Sequence, residues 1–457
     1  MARLIVAGFC CAQLITVCAQ PHWGPTGFPG EQWSAGYLCT SLNEDTLYYG
    51  GTMALGSMWY SSNRVLRYAD ADWDTLPGVV PGNIFSILRH RDTLFIGGAF
   101  ETLNGEASGR VAYHDGTAWR TYGSVLGSYV ARLRVIEDTL YAVGAFSEVD
   151  GQAAQSVAKR VANEWVPVGQ TTTVGPIISD IAKYDDRLVI CGAIYDGPAC
   201  CAFQLVGGWW QPLGQGVLGG LSGVGSLAVF GNDLYIGGQF TTTTGNAGMN
   251  IMRWDGTAYH AMGSGIQVNL NNTSTLCSVK MLVHDGLLWV RHFCNYAGGV
   301  SSKGLATWDG TEWCGVPGDL VSDPGSLSDM AFYKDTLFMV KFGDTLDGVF
   351  VNGVAKFIGE SYVGECSGPV AVADVVVAPL EPAIAAVGVD QWVMTELSNG
   401  RYEMTLFDQM GRMMFRRALF SNAGRSDIFS TQNLRSGLYF VQITGHSGFA
   451  GKVLVSR

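Results

Sequence analysis

Polar and thiol side chains stand at matching places along this chain. Cys39, Ser86, Arg132, Asp180, Ser226, Ser278 and Asp329 each precede an acidic turn by about six residues. If those positions share one spatial ring, hydroxyls and charges converge there, complementary to a hydroxyl-rich ligand or a charged peptide end. Arg132, Asp180 and Asp329 are therefore the candidate ligand-binding residues. Catalytic patterns are scarcer. No HExxH, CxxC or GxSxG run occurs, and His22, His90, His114, His260, His284, His292 and His446 are scattered; turns or strand ends account for His114, His260 and His284. Asp70, Asp72 and Asp74 alternate as calcium ligands do, but Thr75 stands where the turn glycine belongs and Pro81 where the bidentate Glu belongs. The run GQGVLG from Gly214 has the glycine spacing of a dinucleotide loop, yet it lies between strand-like segments with no helix to hold a phosphate. No catalytic residue, metal site or cofactor is assigned.

The elements that must position these groups repeat. Between Tyr37 and Gly368 the chain writes one unit seven times, at intervals of about 46 to 54 residues: apolar strand, acidic turn, Leu-led strand, loop, aromatic pair. Turn and second strand read EDTLYYGG from Glu44, RDTLFIGGAF from Arg91 and EDTLYAVGAF from Glu137. They continue as DDRLVICGAI from Asp185, NDLYIGGQF from Asn232, DGLLWVRHF from Asp285 and KDTLFMVKF from Lys334. The aromatic pairs, such as Tyr113 with Trp119 and Phe357 with Tyr362, flank turns such as HDGTAW, whose Asp-Gly supplies the positive φ of a tight hairpin. Two hairpins per unit make four strands, and such sheets cover their apolar faces by stacking around a ring. The spacing predicts an all-β chain with a seven-bladed β-propeller over residues 20–368. Trp33 reads as a further Trp strand that closes the ring beside the last blade.

The Gly-Gly doublet, the later Tyr and the Trp beyond it, best seen in LFIGGAF…RVAYHDGTAWRTYG, resemble the kelch repeat. The doublet stands at Gly50-Gly51, Gly97-Gly98 and Gly237-Gly238 and departs to Val143-Gly144, Cys191-Gly192, Val290-Arg291 and Val340-Lys341.

Composition agrees with a turn-rich β chain. Of 457 residues, 61 are glycine and only 15% are charged. A net charge of -11, without a dense basic cluster, argues against nucleic acid and anionic membranes as partners. Residues 1–19 read as an export signal: Arg3, an apolar stretch to Val17, then a cut after Ala19. No membrane span is expected, and residues 369–382 read as a linker. Past the signal eight cysteines remain, an even number that favours disulfides in an exported chain. A two-residue turn at Asp285-Gly286 places Cys277 opposite Cys294 as a non-hydrogen-bonded pair, Cα atoms roughly 4.5 Å apart, within bridging distance. A second expected bridge, Cys39 to Cys366, joins the first and last units.

Residues 383–457 abandon the repeat and alternate as a small antiparallel sandwich. Leu406-Phe407-Asp408 with Gly411-Arg412, then Leu434, Ser436-Gly437-Leu438-Tyr439-Phe440 and Lys452-Val453, resemble the C-terminal sorting domain of the type IX secretion system of Bacteroidetes-type bacteria. The resemblance implies recognition by that machinery through residues including Asp408, Gly411, Arg412, Gly437, Tyr439 and Lys452. It implies passage across the outer membrane and a secreted or cell-surface location. The functional expectation is a non-catalytic scaffold that binds glycan or protein; the alternative is a secreted glycan-active hydrolase or lyase.

Overall fold

The computed structural model describes residues 22–367 except 30, 41–44, 55–61, 79, 104–105, 174, 197–198, 219–223, 271–276, 319, 321–326 and 342–344. Beyond these it describes 383–388, 391–395, 400–408, 412–422, 425–426, 429–430, 434, 437–444 and 449–455. Contacts divide the chain into Met1–Ala373 and Asp374–Arg457.

In the first unit the Leu-led repeats fold into antiparallel sheets that share one strand path. Sheet 1 runs Glu31–Thr40, Leu47–Ala54, Ser62–Ala69 and Asp72–Thr75, and sheet 2 runs Ile84–His90, Thr93–Gly98, Val111–His114 and Trp119–Thr121. Sheet 3 runs Val125–Ile136, Thr139–Val149, Val157–Val161 and Glu164–Pro167; sheet 4 runs Ile177–Tyr184, Arg187–Asp196, Ala199–Val206 and Trp209–Pro212. Sheet 5 runs Val224–Phe230, Asp233–Gly238, Ile251–Trp254 and Tyr259–His260; sheet 6 runs Val279–His284, Leu287–His292, Leu305–Trp308 and Trp313–Gly315. Sheet 7 takes Leu327–Tyr333, Thr336–Lys341 and Val354–Phe357 from one end of the unit and Trp23–Pro25 from the other. The first strands touch in sequence from sheet 1 through sheet 7, and that of sheet 7 touches that of sheet 1. This is a β-propeller.

The acidic turns form because their residues tolerate left-handed backbone. Both residues of Glu137-Asp138 (φ 47° and 60°) and of Lys334-Asp335 (φ 48° and 59°) lie there, where Asp is among the more tolerant side chains. The second hairpins of sheets 2, 5 and 6 close differently. The turn expected to be tight spans four residues between His114 and Trp119. Asp115, Asp255 and Asp309 each accept three hydrogen bonds on Oδ1, from the following Thr N–H and hydroxyl and the next N–H, at 2.7–2.9 Å.

The apolar cores lie between successive sheets. Trp165, for example, packs with Phe95 and Val111 of sheet 2 and Ala142 and Ala158 of its own sheet. The fourth-strand Trp also bonds across three of the gaps: Trp165 Nε1 donates to Tyr122 O at 2.6 Å, Trp210 to Val168 O at 3.2 Å and Trp313 to Met262 O at 3.0 Å. A glycine makes room for it. A Cβ on Gly123, whose φ is 74°, would stand 2.6 Å from Trp165 Cδ1.

Sheet 7 obeys the same rule with a different residue from the one expected. Trp23, fully buried, pairs with Phe357, donates Nε1 to Pro317 O at 3.3 Å and sits over Gly318. Trp33 instead falls inside the first strand of sheet 1. The Pro317-Gly318 loop leaves a Trp-shaped gap that the chain's start fills, so Tyr362 is displaced from the fourth-strand place and stacks on Phe357 at 4.4 Å.

The hairpin register of sheet 6 is the expected one, with His284 opposite Leu287 and Val279 opposite His292. Cys277 and Cys294 are bridged. Their Cα atoms are 6.2 Å apart rather than 4.5 Å because both lie past the ends of the paired strands. The second expected bridge is corrected: Cys366 joins Cys314, and Cys39 is a free thiol. The tail after sheet 7 returns to sheet 6, where Cys314 and Cys366 form a bridge pair and Gly364 N donates to Gly315 O at 2.8 Å.

In the second unit one connected set of antiparallel strands runs from Ala383–Gly388 to Phe449–Val455. Asp408 closes the turn between Gly400–Phe407 and Met413–Asn422: its carboxylate accepts from Arg412 N (2.9 Å) and Nε (2.7 Å), and its N–H donates to Arg412 O. Tyr439 is buried, Gly437 begins the strand Gly437–Thr444, and Lys452 pairs with Phe440. Gly411 lies outside the described residues.

Candidate binding channel

The first strand of each sheet is an edge strand, so its outward N–H groups need partners from elsewhere. The chain supplies them from one position per sheet. Leu133 N–H donates to Ser86 Oγ (3.0 Å), Leu227 N–H to Asp180 Oδ2 (3.2 Å), Met281 N–H to Ser226 Oγ (3.1 Å) and Leu38 N–H to Asp329 Oδ2 (3.1 Å). Each polar side chain thus stitches its strand to the next sheet's first strand. Strand pairing defines the full ring as Tyr37, Ser86, Arg132, Asp180, Ser226, Lys280 and Asp329, opposite Gly50, Gly97, Val143, Cys191, Gly237, Arg291 and Val340.

Two members of that ring differ from the sequence reading. Cys39 yields to Tyr37 because the last pair in sheet 1's register, Thr40 with Leu47, is farther apart in sequence than the turn pairs of the other first hairpins. Ser278 yields to Lys280 because sheet 6 pairs His284 with Leu287 at the turn, and the ring residue stands four before that pair, as it does in sheets 2, 3, 4, 5 and 7.

Arginine and lysine have no acceptor to offer, and the structure shows the consequence. Arg132 precedes sheet 4, so Ile181 N–H turns to its own neighbour, Asp180 Oδ1, at 3.0 Å. Lys280 precedes sheet 7, and Met330 N–H likewise bonds Asp329 Oδ1 at 2.9 Å. Each cation is followed by an acid that also answers its charge.

The acids are fully occupied. Asp180 is completely buried and receives Arg134 in a two-point grip at 2.9 and 2.8 Å. Burial opposes its ionisation, yet Arg134 and Arg132 hold its carboxyl below the usual range. Asp329 receives Lys280 Nζ at 2.6 Å, and the ammonium lies 5.2 Å from the Tyr37 ring centre. Burial pushes Lys280 down to about 7 against the pull of Asp329. The Asp180 oxygens are thus taken up by Arg134 and two backbone N–H groups.

Two guanidiniums are less well matched. Arg132 comes no nearer than 3.9 Å to Asp180 Oδ1, beyond hydrogen-bond reach, and its buried Nε has no acceptor. Arg291 is 5% exposed; one Nη donates to Leu327 O at 2.7 Å, its plane lies 4.8 Å from the Phe293 ring centre, and its Nε also lacks an acceptor. Burial pushes Arg291 down to about 10. A cavity of about 300 Å³, at the small end for ligand sites, opens among Tyr37, Ser86, Arg132, Lys280, His284 and Asp329. His284 stacks face to face on Phe332 at its wall, ring centres 3.6 Å apart.

The other sequence candidates resolve into local structure. His260, expected at an exposed strand end, is buried and bonds Asp255 at 2.6 Å. His292 is buried; Nδ1 accepts from Cys294 N at 3.2 Å, so Nε2 carries the proton toward Ser302 Oγ at 3.0 Å. Asp74 pairs with Arg67 at 2.8 Å and Asp72 accepts from Trp73 N, which places both acids in turn and strand bonding. Cys314 and Cys366 approach Glu312, but their sulfurs are spent in the disulfide. Among the variable loops, TTTTGNAGMN is held from within: Asn246 accepts from Leu218 N at 2.8 Å and donates to Leu218 O and Thr241 O.

No family profile and no curated protein matches the chain. Among solved structures it is similar to the β-propeller domain of the Trilobed protease from Pyrococcus furiosus (11% identity, TM-score 0.41, covering 74% of this chain and 98% of that one). It is also similar to a Niastella koreensis GH74 enzyme (12%, TM-score 0.35, 92% and 65%) and to an α-L-arabinofuranosidase from Fusarium graminearum (12%, TM-score 0.34, 75% and 98%). At these values the likenesses carry no assignment of activity, and the fold stands on the sheets themselves.

Proposed function

We propose that this is an exported, kelch-like seven-bladed propeller that binds a glycan or protein ligand and does no chemistry on it. The observation that carries this reading is the state of the channel carboxylates. Acid–base catalysis on a glycosidic bond needs two carboxyl groups roughly 5 to 10 Å apart, free to hold and release protons at one bond. Asp180 and Asp329 are instead tied to Arg134 and Lys280 and to backbone N–H groups on both sides. The pre-ordered Asn246 loop supports binding, since a loop held in place loses little freedom when it meets a partner. In this reading residues 1–19 direct export. Residues 383–457, as a β-sandwich sorting domain acting through Asp408, Gly411, Arg412, Gly437, Tyr439 and Lys452, engage the type IX machinery and deliver the propeller to the surface or medium.

The test is purified protein on a glycan and matrix-protein array, beside a turnover screen on polysaccharides. Binding without product is the expected result. Release of oligosaccharide product would overturn the reading in favour of a hydrolase or lyase.

A further inference from the structure

The channel carries more positive charge than its acids answer. Arg132, Arg134, Lys280 and Arg291 face two carboxylates, Asp180 and Asp329, in a protein whose net charge is -11. Arg134 and Lys280 each have a carboxylate within hydrogen-bond distance, whereas Arg132 meets Asp180 only at the edge of ion-pair range, 3.9 Å. Arg132 and Arg291 have none within hydrogen-bond reach, and each holds a buried Nε without an acceptor. The groups sense one another: Asp329, Arg132 and Arg291 all act on Lys280, and Arg132, Asp329 and Arg291 act on Tyr37. Glu137, in the turn that follows the strand of Arg134, is engaged by Lys183 and does not neutralise the excess.

A guanidinium whose buried Nε lacks an acceptor is under-satisfied, and its planar fork of donors fits a carboxylate in two-point fashion. We propose that the cavity bounded by Tyr37, Arg132, Lys280 and Asp329 is a binding site for the carboxylate of a small ligand. Arg132 is its contact residue and Arg291 supplies charge from behind. The inference rests on the binding reading above and names the ligand chemistry for it. Two sources carry that chemistry, a sugar acid or a peptide C-terminus. A neutral glycan lacks it.

The experiment is titration calorimetry and thermal melting of the full exported chain at fixed ionic strength. The probes are D-glucuronate against D-glucose, and acetyl-Ala-Ala as free acid against its amide. The expected result is saturable binding of one acid, with a raised melting temperature, and none of its neutral counterpart. Arg132→Gln is expected to weaken that binding about tenfold or more, the scale of one charge-assisted pair, while Arg132→Lys keeps part of it. Because Arg132 makes no close bond to the protein, R132Q should melt near the wild type without ligand, which separates lost binding from lost folding. No saturable binding of either acid, equal binding of acid and neutral probe, or unchanged affinity in R132Q each overturns the proposal. An array hit that persists in R132Q would do so while leaving the scaffold reading intact; loss of every array hit in the wild type would sink both.

Discussion

Asp180 and Asp329 do two jobs at once, bonding the backbone of the next sheet and answering the cation of the previous one. Ser86 and Ser226 do only the first. Their removal should therefore differ in scale. Ser86→Ala is expected to cost about 1 kcal/mol, the net worth of one hydrogen bond with its partner left unpaired. Asp180→Ala leaves the Ile181 and Leu227 N–H groups without an acceptor and the half-buried Arg134 without its counter-charge, and should cost about 3 kcal/mol; denaturant titration distinguishes the two. Titration gives a second check. His292 is held near 3 by burial first and by Arg291 second, below its ordinary 6.5. The unfolded chain thus binds more protons between those values, and stability should fall as pH drops from 6.5 toward 3. Lys280 reads the same way on the alkaline side. Its depressed value of about 7 means that stability rises as pH climbs from 7 toward 10.5, because only the unfolded chain still holds that proton. Melting curves for His292→Gln and Lys280→Met across pH 4–10 should each lose one of these slopes. At this scale the sequence was partly legible. Five ring positions followed from counting back from the turn, but the wider sequence spacing between Thr40 and Leu47 hid Tyr37, and Ser278, two residues beyond the ring place, stood in for Lys280. In strand register Arg291 stands where Gly50, Gly97 and Gly237 open their Gly-Gly doublets, so the break in the repeat itself marked the channel's unmatched cation.

At the scale of the element, each sheet is finished by its neighbour. The fourth-strand Trp reaches a carbonyl of the preceding sheet's loop, and the glycine beside that carbonyl leaves space for the indole. Trp165→Ala removes both packing and bond and is expected to cost about 3–5 kcal/mol; Gly123→Ala should also destabilise, since its φ of 74° and the 2.6 Å approach forbid a methyl group. The Cys314–Cys366 bridge, whose ends are 52 positions apart in sequence, should contribute about 4 kcal/mol through loop closure, measurable as the loss in Cys314→Ser/Cys366→Ser. Strand registers were readable because turn chemistry fixes them, as Asp285-Gly286 did for sheet 6. The closing strand was not. Trp23 and Trp33 offer the same side chain, and only the place of the Pro317-Gly318 gap decides between them.

For the molecule as a whole, the account depends on a circuit of first strands that returns to its start, because only a circuit brings Tyr37 of sheet 1 beside Lys280 and Asp329 of sheets 6 and 7. Nothing in a single repeat encodes that meeting; it arises from the count of units and the angle at which stacked sheets turn. The N-terminal strand Trp23–Pro25, laid against Val354–Phe357, is the seam. The most direct measurement is cross-linking of Gly24→Cys with Lys356→Cys, residues that face each other across it. Cross-strand partners lie roughly 4.5–5.5 Å apart, within disulfide range. Peptide mapping of the oxidised monomer should recover a 24–356 bridge in most molecules. A chain that stays reduced at these positions, or links only between molecules, would contradict the closed circuit and the channel built on it.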